Sequence, residues 1–305
     1  MTHEALDYFI LDVFTSRRLE GNALAVVIND GSLSDATMQA IARETNLSET
    51  TFVSRRSADV EAREGVRVRI FTTEEELPFA GHPTLGTAGL LRAIAPDSVH
   101  DGVVTLALNV GPVAVRFAES PEPWPACGEM TQRAPEFGEE LDAETVATLI
   151  GLKREELNPG HPVQIVSTGT AFAIVPLRSA ASLARLHVKQ QEASTYLRQR
   201  GARWFYVLGP ENDLLSQNGS VPWRARMQFN GGEDPATGSA AGCAISYLVR
   251  HGAVASDALV HLRQGVEIAR PSDLYLRAHL EGEKVTQVRV GGSTILAAKG
   301  SLFLP

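Results

Sequence analysis

The chain has 305 residues, 44% of them hydrophobic and 21% charged, which is typical of a folded protein too long for one small core. The formal net charge is −8 and no lysine or arginine cluster stands out, which argues against nucleic acid or membranes as partners. The N-terminal residues do not resemble a signal peptide, and no apolar run approaches the roughly 20 residues of a membrane span. The two cysteines form no metal-type pair, so we expect a cytoplasmic protein.

The first half predicts short strands and few helices. Strands are indicated by alternating or β-branched apolar runs: DYFILDVFT, NALAVVI, TTFVSRR and VRVRIFTT. The segment LSDATMQAIARET predicts a helix, with Ser34 as its N-cap and an apolar face of Leu33, Met38, Ile41 and Ala42. HPTLGTAGLLRAI predicts a second helix, and GVVTLALNVGPVAVRF a hairpin.

A proline-rich segment, ESPEPWPACGEMTQRAPEFGEE, predicts a linker or irregular crossing after the first half. A second series of elements follows. LDAETVATLIGL predicts a helix capped by Asp142, and VQIVSTGTAFAIVPL a pair of strands. SLARLHVKQQEASTYLRQRG is helical in pattern, RWFYVLGP and RARMQF are strand-like, and the C-terminal stretch predicts two strands around Gly291 and Gly292.

Three short segments of the first half recur in the second half, in the same order. HPTLGTA at His82 and DPATGSA at Asp234 lie 152 residues apart. SETTF at Ser48 resembles TGTAF at Thr168, and LSDATMQAI resembles LDAETVATL. This order favours an internal duplication that gives two similar α+β domains.

Two such domains would face each other across a cleft, where ligands often bind. Each domain would present one helix start, at HPTLGTA and at DPATGSA. Glycine lets a ligand approach the backbone, and N–H groups with the helix dipole favour an anion. The pattern is no P-loop, because no lysine follows the glycine.

The acid Glu49 lies between a predicted helix and an apolar strand, where it is either a general acid/base or an exposed turn carboxylate. The SETTF match places Gly169 at the equivalent position, so one domain alone would supply this acid. A single acid suits one-base chemistry. His82 is an acid/base or hydrogen-bond donor to substrate, or alternatively caps its own helix.

In the second half, Asp234 is predicted to orient a substrate amine or hydroxyl, or to be an N-cap. Ser239 either presents its hydroxyl and N–H to an anion or is small for packing reasons. Glu233 is interpreted as a solvated neighbour, Asn22 as a turn residue and Cys243 as core. The histidines show no metal-binding spacing, so no metal site is predicted.

Several stretches from residue 8 to residue 303 resemble the PhzF-like isomerase family of phenazine biosynthesis. The resemblance is carried by LDVFTSRRLEGNALAVV, NLSETTFV, FTTEEELPFAGHPTLGTA, EDPATGSAAG and VRVGGSTILAAKGSLF. It implies the diaminopimelate-epimerase-like fold, in which each of two pseudo-symmetric domains is a curved, mostly antiparallel sheet wrapped around a central helix. The predicted domains are 1–120 with 293–305, and 121–292, with the active site in the cleft between them.

The resemblance also implies a cofactor-independent isomerase that moves a proton between carbons of a small carboxylate-bearing metabolite. Its catalytic residues would be Glu49, His82, Asp234 and Ser239. The substrate-binding residues would be Ser48, Gly81, Thr84 and Gly238. The paired cysteines of related racemases are missing from both glycine turns. We expect no cofactor, a small-molecule carboxylate substrate and a homodimer.

Two other functions are compatible with the same residues. An epimerase using Glu49 and His82 would invert one stereocentre, and a non-catalytic protein on the same fold would only bind a small acid.

Overall fold

The computed structural model describes residues 5–211 and 220–304. The chain divides into two compact units: unit 1 is Met1–Met130 with Gly291–Pro305, and unit 2 is Thr131–Val290. The sequence placed these boundaries at 120/121 and 292/293. Its domain ranges include residues 1–4, 212–219 and 305, which lie outside the described residues.

The described part of unit 1 is built from strands and three α-helices. Its strands are β1 (Ala5–Val13), β2 (Asn22–Asn29), β3 (Thr50–Ser54), β4 (Val66–Phe71), β5 (Glu76–Leu77), β6 (Val99–His100), β7 (Val103–Leu108), β8 (Gly111–Phe117) and β9 (Ala126–Thr131). Its helices are α1 (Asp35–Thr45), α2 (Ala58–Glu64) and α3 (Gly81–Ile94). The predicted cap of α1 is confirmed, because the Thr37 N–H donates to Ser34 Oγ at 3.1 Å.

The strands of unit 1 pair mostly antiparallel. In the described residues, β2 with β3 and β4 with β7 are parallel pairs, and a helix lies in the connection between the two members of each pair. The predicted hairpin is confirmed as β7 with β8. Helix α3 is buried on all sides from Gly81 to Leu91, as expected for the central helix of a curved sheet. Its small residues let the strands approach the helix backbone closely.

Gly86 shows how tight this packing is. A Cβ atom at this position would lie 2.6 Å from Leu24 Cδ2 and 2.7 Å from Val13 Cγ2, well inside the roughly 3.5–4.0 Å of normal carbon contacts. Overpacking costs about 1–3 kcal/mol, against a gain of about 1 kcal/mol from the better helix propensity of alanine. We therefore expect Gly86→Ala to lower the free energy of unfolding in urea.

The matched control is Gly300→Ala, because a Cβ atom at Gly300 meets nothing within 4 Å. This variant should be no less stable than the wild type, because alanine replaces glycine within strand β19 without a steric conflict. If Gly86→Ala were at least as stable as the wild type, the side chains of Val13 and Leu24 would have to move aside at no cost in free energy.

Unit 2 has the same kinds of elements. Its strands are β10 (Glu136–Leu141), β11 (Val163–Ser167), β12 (Ala171–Pro176), β13 (Trp204–Pro210), β14 (Val221–Arg226), β15 (Gln228–Phe229), β16 (Gly232–Glu233), β17 (Val260–Gln264) and β18 (Ser272–Glu281). Its helices are α4 (Ala143–Leu149), α5 (Gln190–Arg198) and α6 (Gly238–Arg250). Strand β19 (Lys284–Phe303) begins in unit 2 and ends in unit 1, where it pairs with β1. The Asp142 cap of α4 is confirmed by a 2.8 Å bond from the Thr145 N–H.

The order of strand pairings repeats from unit 1 to unit 2. An antiparallel pair (β1–β2, β11–β12) leads through a helical connection to a parallel pair (β2–β3, β12–β13). Another antiparallel pair follows (β3–β4, β13–β14), and then the central helix and a second parallel pair (β4–β7, β14–β17). The two units therefore share one α+β topology, as the duplication predicted.

The topology corrects the details of that duplication. Helix α1 follows β2, whereas α4 precedes β11, so LSDATMQAI and LDAETVATL are not equivalent. SETTF begins β3, but TGTAF begins β12, whose counterpart is β2. The equivalent segments are GNALAVV at Gly21 and GTAFAIV at Gly169. The central helices start at Gly81 and Gly238, 157 residues apart rather than 152, so His82 corresponds to Ser239.

Three predictions about secondary structure need correction. The proline-rich segment contains strands β9 and β10 and is no simple linker. The two strands predicted around Gly291 form one continuous strand, β19. The helix predicted over SLARLHVKQQEASTYLRQRG is divided into a 3₁₀ turn at Ala180–Arg185 and helix α5.

No helix in the described part of the chain combines the length and the apolar character that a membrane crossing requires.

Candidate functional site

In unit 1, Glu49 lies between the end of α1 and the start of β3. Its neighbour Thr50 is fully buried in the sheet, which fixes the backbone at this point. The Glu49 side chain is only 16% exposed, so it is not the exposed turn carboxylate of the alternative interpretation. Its Oε2 atom lies 3.5 Å from His82 Nε2. The structure thus brings together two predicted catalytic residues that are distant in sequence.

His82 is the second residue of α3 and is 5% exposed. Its Nδ1 atom lies 3.3 Å from the side-chain nitrogen of Asn22, which is also buried. An amide nitrogen only donates, so Nδ1 accepts this hydrogen bond and the imidazole proton lies on Nε2. The Nε2–H therefore faces Glu49. His82 is not the cap of its own helix, because the N-cap of α3 is Ala80.

Burial determines the charge of this histidine. Desolvation lowers the pKa of His82 from 6.5 to about 3, so the ring is neutral near pH 7. A carboxylate at 3.5 Å favours the imidazolium, but burial of the whole ring outweighs it. The contact between Glu49 and His82 is thus a carboxyl group beside a neutral donor and not an ion pair.

The three predicted binding residues of unit 1 lie near this pair in sequence but differ in environment. Gly81 is buried and is the first residue of α3. The Thr84 hydroxyl donates to Ala80 O at 2.7 Å, so it is engaged within its own helix. Ser48 is exposed. Gly81 therefore adjoins His82 at the start of α3. The Thr84 hydroxyl is occupied by a hydrogen bond within its own helix.

In unit 2, Asp234 precedes α6 and is held by its neighbours. The Thr237 hydroxyl donates to Asp234 Oδ2 at 2.6 Å, and Gln264 Nε2 donates to the Asp234 carbonyl at 2.8 Å. Asp234 does not cap α6, because that helix starts after Thr237 and has no side-chain cap. The alternative interpretation of Asp234 as an N-cap is therefore wrong.

Gly238 and Ser239 are the first two residues of α6. The Gly238 carbonyl accepts from Gln132 Nε2 at 2.8 Å, and Gln132 Oε1 accepts from the Thr168 hydroxyl at 2.8 Å. Ser239 is half-buried. The start of the helix is thus held by Gln132, which Thr168 in turn holds in place.

The interpretations of Asn22 and Glu233 from sequence are wrong, and neither Gln264 nor Tyr206 was predicted as part of a site. Asn22 begins a strand and contacts His82, and is not a turn residue. Glu233 is no solvated neighbour, since its side chain is 6% exposed and binds Arg226 with both oxygens. The GNALAVV match could have identified Asn22, because it makes this residue the start of a repeated strand. Gln264 and Tyr206 carry no comparable sequence signal.

The described residues offer few other reactive groups. They contain no cluster of three histidine, cysteine or acidic side chains that could hold a metal ion. Cys243 is buried in α6 as predicted, and burial raises the pKa of its thiol to about 11. It therefore stays protonated and is a poor nucleophile. In unit 1, Glu49 can therefore accept and return a proton, with the neutral His82 beside it as a hydrogen-bond donor.

The family model described as "Phenazine biosynthesis-like protein" matches residues 11–300. An uncharacterized isomerase of Mesorhizobium japonicum is 35% identical, over 98% of this chain and 99% of the relative. A trans-2,3-dihydro-3-hydroxyanthranilate isomerase of Pseudomonas aeruginosa is 34% identical, over 97% of this chain and 99% of that protein.

Among solved structures, a PhzF-family phenazine biosynthesis protein of Bacillus anthracis superposes with a TM-score of 0.85. The match covers 99% of this chain and 100% of the other, at 22% identity. This likeness confirms the fold that the sequence resemblance implied.

Proposed function

The chain belongs to the phenazine biosynthesis-like (PhzC-PhzF) family and is an isomerase, and from this premise we propose that it moves a proton between two carbons of a small carboxylate-bearing metabolite. Glu49 removes the proton from one carbon, and the C–H electron pair enters a conjugated system. The same carboxyl group then returns the proton to a second carbon on the same face. The reaction consumes no other reactant, and we propose that it needs no cofactor.

The observation that carries this proposal is the contact between Glu49 and a neutral histidine. A buried carboxyl group beside a fixed donor is a suitable acid/base, because positioned proton transfer contributes about 10²–10⁴-fold. His82, neutral and with its proton on Nε2, donates a hydrogen bond to Glu49 or to the anion that forms on the substrate. Because His82 is neutral, it forms no ion pair with Glu49, and the carboxylate keeps its ability to accept a proton.

The same contact argues against the epimerase alternative with Glu49 and His82 as two bases. Two-base inversion needs groups on opposite faces of one carbon, whereas Oε2 and Nε2 are 3.5 Å apart. Moreover, Nε2 already carries a proton in the tautomer that Asn22 favours, so this nitrogen is not a base at neutral pH.

The remaining predicted residues are assigned roles in binding. We propose that Asp234 accepts a hydrogen bond from a substrate amine or hydroxyl. Ser239 and the Gly238 backbone would bind an anionic group, as would Gly81 with Ser48. Thr84, whose hydroxyl donates to Ala80 O, would support the start of α3 rather than contact the anion. The homodimer and the cytoplasmic location stay proposals, and sedimentation would measure the former.

The first substrate to test is trans-2,3-dihydro-3-hydroxyanthranilate, which the name of the Pseudomonas aeruginosa relative gives for that protein. We expect the purified protein to convert it in D₂O buffer with a chelator and without added nucleotide or pyridoxal phosphate. NMR of the product should show a shifted double bond with hydrogen or deuterium at a new carbon.

Three outcomes separate the possible functions. A shifted double bond with hydrogen or deuterium at a new carbon supports the proposal, because the proton on Glu49 can exchange with solvent before it is returned. Deuterium at the original carbon with inverted configuration identifies an epimerase. Saturable binding of this and related carboxylates without turnover identifies a binding protein, and either of the last two results would overturn the isomerase mechanism.

A further inference from the structure

A connected set of hydrogen bonds lies behind Asp234. Gln264 is fully buried, and its Oε1 accepts from the Tyr206 hydroxyl at 2.8 Å and from the Thr237 N–H at 3.2 Å. Its Nε2 donates to the Thr237 hydroxyl at 3.0 Å and to the Asp234 carbonyl at 2.8 Å. Thr237 in turn donates to Asp234 Oδ2 at 2.6 Å.

The direction of each hydrogen bond follows from the groups that act only as donors or only as acceptors. The Thr237 N–H only donates and the Asp234 carbonyl only accepts, so the amide of Gln264 has one satisfactory orientation. In that orientation Nε2 donates to the Thr237 oxygen. The single hydroxyl proton of Thr237 must then point to Asp234, which receives it as an acceptor.

The donor role of the Tyr206 hydroxyl, at the far end of this series of hydrogen bonds, is fixed as well. Tyr206 is fully buried, and desolvation, followed by the charge of Asp234, raises the pKa of its hydroxyl well above the usual value. Tyr206 therefore remains an O–H donor. At Gly265 the backbone has φ +74°, and a Cβ atom would lie 2.7 Å from Pro235 O, so the chain beside Gln264 packs directly against the segment of Asp234.

We propose that Gln264 and Thr237 are positioning residues that hold Asp234 as an acceptor for an N–H or O–H donor of the substrate. The inference rests on the proposed function, because it takes Asp234 to contact the substrate. It makes the discrimination in favour of a substrate with a proton-donating amine or hydroxyl depend on Gln264 and Thr237, which do not contact the substrate themselves. Analogues in which that group is methylated or removed should bind more weakly.

The first experiment tests the positioning without any substrate. Crystal structures of Thr237→Val and Gln264→Met should show the Asp234 carboxylate displaced, whereas Thr237→Ser should keep it in place. The control is Thr294→Val, because the Thr294 hydroxyl is buried and makes no hydrogen bond with any residue that the structure describes. This variant should leave Asp234 where it is.

The second experiment measures kinetics with the substrate that passes the isomerisation test. Thr237→Val and Gln264→Met should lower kcat/KM about 10- to 100-fold, as expected for a lost hydrogen bond to a charged group, mostly through KM. Thr237→Ser should recover most of this loss. The double variant should cost little more than the worse single variant, because both residues act through Asp234. Discrimination against the analogue without the donor group should collapse in Thr237→Val.

The outcomes separate this proposal from the isomerase assignment. An Asp234 carboxylate that stays in place in both variants overturns the positioning, whatever reaction the protein catalyses. A displaced carboxylate with unchanged kcat/KM also overturns the proposal, because Asp234 then contacts no substrate, while turnover through Glu49 is unaffected. A displaced carboxylate with the expected loss of kcat/KM supports it. If the wild type binds trans-2,3-dihydro-3-hydroxyanthranilate without turnover, the proposed proton transfer fails for this compound. Weaker binding of the same compound by Thr237→Val then still supports the inference, whereas equal binding overturns it.

Discussion

Replacing Glu49 by Gln should lower turnover by about 10²–10⁴-fold, the typical contribution of a positioned proton-transfer group. The amide has nearly the shape of the carboxyl group but cannot take a proton from carbon. Since the loss concerns the chemical step, it should appear in kcat, with little change in KM. The measurement is steady-state kinetics with the substrate identified by the isomerisation test, together with deuterium incorporation in D₂O.

The fold should tolerate this change. In Glu49→Gln a carbonyl oxygen takes the place of the carboxyl oxygen that lies 3.5 Å from His82 Nε2, so the contact keeps its shape and its acceptor. The control is Glu44→Gln, which removes an exposed acid on the neighbouring helix α1. This control should retain full activity. Near-wild-type turnover in Glu49→Gln would show that another group moves the proton.

The sequence predicts the elements of this fold well where a local rule decides. Ser34 and Asp142 cap α1 and α4 because a short polar side chain before an apolar periodic stretch has few other roles. Strand β19 was predicted as two strands because two consecutive glycines usually indicate a turn. Its pairing with β1 depends on contacts across the length of the chain, and these overrode the local signal.

The duplication was predicted correctly in outline but from partly wrong segments. Short runs of small residues match by chance, and only the pairing order separates equivalent strands from similar ones. In unit 1 Ala25 pairs with Thr50, and in unit 2 the equivalent Ala173 pairs with Phe205. The counterpart of Glu49 is therefore Trp204 and not Gly169. The conclusion that one unit alone supplies this acid still holds.

For the candidate site, the identity of the residues was predictable from the sequence, whereas the burial and contacts of their side chains were not. Glu49 and His82 could be named from their motifs, but the burial that makes His82 neutral depends on a helix enclosed by the sheet. Glu233 was misjudged because an acid next to a glycine pair is usually solvated. Its partner Arg226 lies on the adjacent strand β14, and no spacing rule links the two.

Stability should decrease between pH 7 and pH 5 because of His82. The pKa of His82 in the folded protein is about 3, against an ordinary value of 6.5, so the unfolded chain binds a proton in this interval that the folded protein does not bind. Stability from this residue is fully present above about pH 6.5 and is lost as the pH falls towards 3. Between pH 7 and 5 the loss should be about 2 kcal/mol in the free energy of unfolding.

The variant His82→Gln isolates this effect, because it removes the titrating ring and keeps a neutral side chain. Burial also lowers the pKa of His251, which contributes in the same direction in both proteins, so the difference between the two pH dependences reports His82 alone. Urea unfolding at pH 7 and 5 should therefore show a smaller loss for the variant, by about 2 kcal/mol. Equal losses in the two proteins would mean that the pKa of His82 in the folded protein stays near its ordinary value of 6.5. His82 would then be protonated beside Glu49 at pH 5, and burial would not be what keeps the ring neutral in the proposed mechanism.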